Sequence, residues 1–175
     1  MIESFILQSH RSLKSDKIIE WAENNKRYNA SHSYWEAYSK DFLLTMLEQG
    51  QYYPWHSDSH TITGAKNRRL WTQIIYLTTG SPIEFGIWDP DNEILTDTRA
   101  PASIPVPTEV DYRINPIPGL QIQFPSFLLH SVPVQKTNNH RWAMVSFLTT
   151  HPSQKHEELY NLAKQLYFKK ASCRI

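Results

Sequence analysis

Apolar positions along the chain recur with two different periods. Between Ser15 and Asn25 they fall at Ile18, Ile19, Trp21 and Ala22, the spacing of one helix face, with Ser15-Asp16 as a capping pair and Asn24-Asn25 as the stop. Near the other end, Leu159, Leu162, Ala163 and Leu166 predict an amphipathic helix over 157–169 that braces whatever lies before it. In between, the runs 71–77, 83–88, 120–124, 127–134 and 142–148 are short, apolar or alternating, and bounded by Gly, Pro, Asn and Asp, which predicts strands. The run Phe42–Leu47 fits either element. It is read as a strand because it leads through Gly50 into the aromatic, alternating segment Tyr52-Tyr53-Pro54-Trp55. Many short strands, helices at both ends and no alternation of strand and helix argue for a β-sandwich or jelly roll rather than a doubly wound sheet.

Composition narrows the class. A chain of 175 residues is the length of one domain with a proper core, here read as 1–175 with its centre at 42–148. With 18 Lys plus Arg against 17 Asp plus Glu, no overall field draws it to nucleic acid or anionic lipid, so neither partner is expected. One cysteine, Cys173, leaves no internal disulfide and suits a reducing compartment. The first ten residues have an early acid and no basic, then apolar, leader, and no apolar run approaches eighteen residues. A cytoplasmic protein is the expectation.

Candidate chemistry enters at His56-Ser57-Asp58 and, far downstream, His130. On a strand, residues two apart project from one face, so His56 and Asp58 would enter one pocket, which His130 could complete. Two imidazoles and a carboxylate on one face of a metal suit Fe(II) enzymes that activate oxygen, with zinc as the rival. The triplet alone is weak, because the chain holds eight His and a His-x-Asp arises readily by chance. Its surroundings give it force: Gly50 through Trp55 leads into it, and His130 lies in Gln123-Phe124-Pro125-Ser126-Phe127-Leu128-Leu129-His130-Ser131-Val132, ahead of Arg141 at the start of another apolar strand.

From about Phe42 to Leu148, with a weak stretch at 91–118, the chain resembles the Fe(II)- and 2-oxoglutarate-dependent dioxygenases, within them the prolyl-4-hydroxylase-like group. Besides the two ligand segments, Arg68 through Leu77, Ile83-Glu84-Phe85 and Trp88-Asp89-Pro90 carry the likeness. The resemblance implies a double-stranded β-helix, with His56, Asp58 and His130 as Fe(II) ligands. It further makes Arg141 the partner of the distal carboxylate of 2-oxoglutarate and Tyr76 a second donor to it. It implies consumption of O2 and 2-oxoglutarate, release of succinate and CO2, and hydroxylation of an unactivated C–H bond in an amino acid, a peptidyl (including prolyl) or another small-molecule substrate. Asp58 fills the position that halogenating relatives leave open, so halogenation is not expected. One departure stands out: where many relatives place a tyrosine nine or ten residues before the first ligand, this chain reads Met46-Leu47-Glu48.

Two other functions remain open: a zinc hydrolase, which gives Arg141 no task, and a catalytically silent jelly-roll binding module. The remaining histidines have ordinary readings. His60 is a surface or supporting residue, His140 a solvated one, and His151 and His156 exposed residues beside the last helix. Lys66, Arg68 and Arg69 read as a solvated strand entry, Arg69 being the reserve anchor for a carboxylate; the aromatic cluster reads as core, with Trp88 the member that could face substrate. The stretch 91–118 is long for a connection, and Ile104, Val106, Val110, Tyr112 and Ile114 make it apolar for a disordered one. It is either a substrate flap over the metal mouth or a cover for a sheet edge.

Overall fold

A computed structural model describes residues 1–30, 33–59, 69–87, 93–94, 104–105 and 109–172. It opens with a 3-10 turn (Ile2–Phe5), followed by β1 (Leu7–His10), α1 (Ser15–Asn25), β2 (Arg27–Asn29), β3 (Tyr34–Tyr38), β4 (Leu43–Leu47) and β5 (Tyr53–His56). The chain continues through β6 (Trp71–Tyr76), β7 (Ile83–Gly86), β8 (Glu93–Ile94), β9 (Ile104–Pro105) and β10 (Val110–Ile114). It ends with β11 (Leu120–Pro125), β12 (Leu129–Val132), β13 (Arg141–Leu148) and α2 (Gln154–Ser172).

These strands form a seven-stranded sheet, ordered β1-β11-β6-β13-β4-β3-β2, and a four-stranded sheet, ordered β10-β7-β12-β5, with β8 and β9 paired separately. Every pairing is antiparallel. Two such sheets with helices at their margins make the jelly roll expected from the strand pattern, the double-stranded β-helix that the resemblance implies. Strand alternation decides what fills the space between them. Thr72, Ile74 and Tyr76 of β6 stand opposite Phe147, Val145 and Ala143 of β13, and Ile122 and Phe124 of β11 share their face. Ile74, Tyr76, Ile122, Phe124 and Ala143 meet Ile83, Phe85 and Leu128 in the main buried cluster.

The helix α1 covers the opposite face of the large sheet, where Ala22 packs with Leu44, Met46, Leu77 and Trp142 and with the partly buried Ile18 and Ile19. Its start differs from expectation. Lys14 occupies the N-cap and no side chain makes a capping bond. Its end does not differ: the Asn24 and Asn25 amides turn back onto the last turn and donate to the Glu20 and Trp21 carbonyls at 2.9 and 2.7 Å. At the other margin α2 is pinned by Tyr167, whose hydroxyl donates to the Gly86 carbonyl at 3.0 Å and accepts from the Leu129 N–H at 3.3 Å. Gly119 turns the chain into β11 at φ +84, and a Cβ there would lie 2.6 Å from the Arg11 carbonyl oxygen.

The long connection before β11 is only partly what the sequence suggests. Residues Val110–Ile114 of it are β10, which pairs with β7 at the edge of the small sheet and accepts the Met1 and Ile2 amino groups on Asp111. Tyr112 and Ile114 therefore belong to a sheet edge, not to a flap. The proposed flap segment at Val106, and most of 88–108, lies outside the described residues, as do His60, Lys66, Arg68, Trp88 and Cys173. No helix of the described residues is long and apolar enough to cross a membrane.

Candidate metal centre and carboxylate pocket

The two imidazoles reach one another through the sheet register. His56 of β5 and His130 of β12 are direct cross-strand partners, so both project from the same face, and their ring centroids lie 4.2 Å apart. Asp58 sits one bend beyond the end of β5 rather than on the strand, which corrects the strand-periodicity argument while keeping its outcome. A turn around Ser126 holds it in place. The Ser126 carbonyl accepts the N–H groups of Asp58 and Ser59 at 3.0 Å each and the Ser57 hydroxyl at 3.0 Å. One oxygen of Asp58 then lies 3.7 Å from His56 Nε2 and the other 3.4 Å from His130 Nε2. The three residues offer ligand atoms within 4.8 Å of one another, the one such group among the described residues.

The histidine tautomers follow from the second nitrogen of each ring. His56 Nδ1 lies 2.8 Å from the Pro54 carbonyl and His130 Nδ1 lies 2.9 Å from the Leu128 carbonyl. A carbonyl only accepts, so both Nδ1 atoms carry hydrogen and both Nε2 atoms face the carboxylate, each as an N–H toward it in an imidazolium or as a lone pair for a metal in a neutral ring. Asp58 is fixed in turn by Thr72, whose hydroxyl donates to Oδ2 at 2.7 Å and contacts the Ser126 hydroxyl at 3.0 Å. Burial alone would raise the Asp58 pKa; His130, His56 and the Thr72 hydrogen bond outweigh it and hold the carboxyl well below the usual range. This is a donor set with its supporting shell in place.

A second cluster has the opposite character. Arg141, at the head of β13, is 4% exposed. Its Nε–H donates to the Ser81 carbonyl at 2.9 Å, its Cζ lies 5.3 Å from the centre of the Tyr76 ring, and no carboxylate of the described residues pairs with it. Burial depresses the pKa of this guanidinium, partly countered by Tyr76 and Tyr53. The Tyr76 hydroxyl is buried without a hydrogen-bond partner among the described residues, and burial pushes its pKa up to about 12 against the pull of Arg141. It therefore stays a donor at any ordinary pH. Gly80 makes room for the arginine, since a Cβ there would meet Arg141 Cβ and Cγ at 2.9 Å. Gln135, 1% exposed, ties the neighbouring loop by accepting from Ser81 N at 2.7 Å and donating to Thr137 and Asn139.

Tyr53 connects the clusters. Its ring lies 5.2 Å from that of His56 and 4.7 Å from that of Tyr34, and its phenol is pushed well up by burial, by Tyr34 and by Asp58. Tyr34 is 4% exposed on β3, so a buried hydroxyl stands in this region although Met46-Leu47-Glu48 carries none. Neither Tyr34 nor Thr72, Ser126, Gly80 and Gln135 stood out in the sequence. The signal for Thr72 was present: it shares a face with Tyr76 on β6 by the two-residue period.

Other expectations change. His151 and His156 are not exposed bystanders: His151 Nδ1 accepts the Trp71 indole N–H at 3.1 Å, and His156 packs edge-on to Trp71 at 4.9 Å. His140 is exposed as expected, near Glu23. Arg69 lies with its Cζ 3.7 Å from the centre of the Phe147 ring.

Residues 42–149 match the sequence profile of the 2OG-Fe(II) oxygenase superfamily, nearly the span over which the likeness was read. No curated protein matches the sequence. Among solved structures, the chain is similar to a prolyl-4-hydroxylase of Pseudomonas putida, with 11% identity, a TM-score of 0.55 and coverage of 82% of this chain and 91% of that one. It also matches a 2OG-Fe(II) oxygenase family oxidoreductase of Burkholderia pseudomallei (14% identity, TM-score 0.40, 69% of this chain and 46% of that one). A third match is to prolyl 4-hydroxylases from Phytophthora capsici (15% identity, TM-score 0.35, 82% of this chain and 47% of that one). The chain spans about half the length of the last two. At 11% identity, the likeness to the Pseudomonas putida enzyme speaks to the fold.

Proposed function

The chain belongs to the 2OG-Fe(II) oxygenase superfamily, enzymes that use Fe(II), 2-oxoglutarate and O2, and from that membership we propose how its own residues divide the work. His56, Asp58 and His130 hold Fe(II). Arg141 and Tyr76 receive the distal carboxylate of 2-oxoglutarate. The reaction is hydroxylation of a C–H bond in an amino acid, a peptidyl (including prolyl) or another small-molecule substrate.

The observation that carries this reading is the convergence of both histidine Nε2 atoms on the two oxygens of one carboxylate, with each Nδ1–H spent on a backbone carbonyl. Imidazole and carboxylate donors suit Fe(II), and the orphaned Tyr76 hydroxyl beside the buried Arg141 suits an incoming carboxylate. When bound, the metal and its co-substrate supply the oxidising power, with 2-oxoglutarate converted to succinate and CO2. The protein's part is orientation and exclusion of water. Thr72 and the Ser126 turn fix the carboxylate, the Pro54 and Leu128 carbonyls fix the ring tautomers, and Gly80 and Ser81 fix the guanidinium. Arg141 has a planar fork that pairs with a carboxylate through two parallel bonds, so it sets the direction of the co-substrate as well as binding it.

Zinc would accept the same three ligands, but a zinc hydrolase leaves the buried, unpaired arginine and the orphaned phenol without a purpose. The test is anaerobic Fe(II) titration followed by succinate release on admitting oxygen. One iron per chain and iron-dependent succinate are expected, with no response to zinc; succinate release that ignores iron would overturn the assignment.

A further inference from the structure

The large sheet continues past the pocket, and its inner face there carries a second arginine. Arg27, Glu36, Thr45, Ala143 and Tyr76 are successive cross-strand partners on β2, β3, β4, β13 and β6, so all five side chains project from the face that bears Tyr76. At about 4.8 Å per strand, Arg27 stands roughly 14 Å from Ala143 along that face. The Arg27 side chain is 69% exposed and that of Glu36 only 4%. Glu36 accepts from Arg27 Nε at 3.2 Å, from the Asn29 amide at 2.9 Å and from the Tyr38 hydroxyl at 3.2 Å. The Arg27 guanidinium also lies over the Tyr38 ring, 4.7 Å from its centre.

A buried carboxylate with three donors is a fixed object, and here it fixes an arginine by one edge only. The Nε–H is occupied, and the two Nη groups face solvent without a partner among the described residues. The location is linked to the metal centre through ring contacts: Tyr34 shares a face of β3 with Glu36 by the two-residue period, its ring lies 4.7 Å from that of Tyr53, and the Tyr53 ring lies 5.2 Å from that of His56. We propose that Arg27, stacked on Tyr38 and braced by Glu36, binds a carboxylate of the substrate and so holds its far end while the C–H to be oxidised lies at the metal. The proposal rests on the oxygenase reading above. The carboxylate belongs either to a free amino acid or to a peptide, and the chemistry of recognition is shared.

The test uses the twenty free L-amino acids and the tripeptide N-acetyl-Gly-Pro-Gly, each as acid and as C-terminal amide. Binding to the full chain is read by saturation-transfer NMR at low salt, both metal-free and anaerobically with Fe(II) and 2-oxoglutarate. At least one acid should bind about tenfold more tightly than its amide, as for a partly exposed charge-assisted pair. Arg27→Gln should reduce that preference to about twofold or less at unchanged melting temperature, and Arg27→Lys should keep part of it. Preference for a free amino acid or for the tripeptide identifies the source of the carboxylate. No acid preferred over its amide, or a preference that survives Arg27→Gln, would overturn the proposal. Wild-type succinate release, measured separately, keeps the two readings apart: its absence with the preference intact sinks the oxygenase reading and leaves the carboxylate site standing.

Discussion

At the His56–Asp58–His130 end of the pocket the polar groups are already held, while at the Arg141–Tyr76 end a charge and a hydroxyl are buried without a matching partner. The difference teaches how the two ends contribute to stability. A carboxylate flanked by imidazoles and a hydroxyl is compensated before any metal arrives. An unpaired guanidinium in the interior costs several kcal/mol relative to water, and an orphaned hydroxyl about 1–3 kcal/mol. The arginine end is thus preorganised at the expense of the empty protein, and a dicarboxylate would relieve that cost on binding. Losing a metal-end residue should remove iron and activity. Losing an arginine-end residue should weaken co-substrate binding while sparing, or raising, stability.

The largest effect is expected from His130→Ala. It removes one of the three proposed ligands and the partner of Asp58 Oδ2, so iron binding and succinate formation should fall to background. The melting temperature of the iron-free variant, followed by circular dichroism, should show that the fold survives. Full turnover in this variant would break the comparison at once.

Next is Arg141→Met, which keeps bulk against Gly80 and deletes the charge. The 2-oxoglutarate requirement should rise by roughly 2–5 kcal/mol in binding free energy, the range for losing one partner of a desolvated charged pair. Iron affinity should hold, and the iron-free protein should unfold at equal or higher denaturant concentration. Calorimetry with 2-oxoglutarate and a urea titration read the two halves. Unchanged 2-oxoglutarate binding would move the anchor elsewhere, Arg69 being the basic residue to try.

Thr72→Val tests the metal end more gently. It preserves shape and removes the 2.7 Å bond to Asp58, leaving the Ser126 hydroxyl short of a contact as well. Iron affinity should drop about 10–100-fold, as for loss of a supporting hydrogen bond to a ligand, with 2-oxoglutarate affinity measured at saturating iron little changed.

How much of this was legible beforehand depends on the period each residue obeys. The core strands β6, β11 and β13 and both helices read out of hydrophobic content and spacing because apolar residues supply most of their buried positions. The pair β2 and β3 did not, because Tyr34-Trp35-Glu36-Ala37-Tyr38 buries residues on both faces and hides a carboxylate among aromatics. The His56-Ser57-Asp58 triplet was visible as a motif, but its geometry rests on a bend held by Ser126, a tertiary contact across 68 positions of chain (126 − 58) that no local pattern encodes. Gly80 and Gln135 were silent for the same reason: each matters through what packs on it, Arg141 and Ser81.

The smallest effect, and the one that separates the two ends most cleanly, is expected from Tyr76→Phe. The hydroxyl makes no well-formed hydrogen bond in the empty protein and has only the nearby Arg141 guanidinium, itself a donor, beside it, so its loss should leave stability unchanged or raise it by about 1 kcal/mol, the desolvation cost of an unsatisfied group. The same loss should weaken 2-oxoglutarate by roughly 1.5–3 kcal/mol, the worth of a hydrogen bond to a charged acceptor. With its pKa pushed up to about 12, the phenol remains protonated through the neutral and mildly alkaline range, so the wild-type advantage should not vary with pH there. Opposite signs on stability and on binding from one deleted oxygen are hard to obtain from a packing defect, which lowers both. A urea titration and a 2-oxoglutarate titration on the same two proteins decide it, and a Tyr76→Phe variant that is less stable and binds 2-oxoglutarate normally would show that the hydroxyl serves the fold and not the co-substrate.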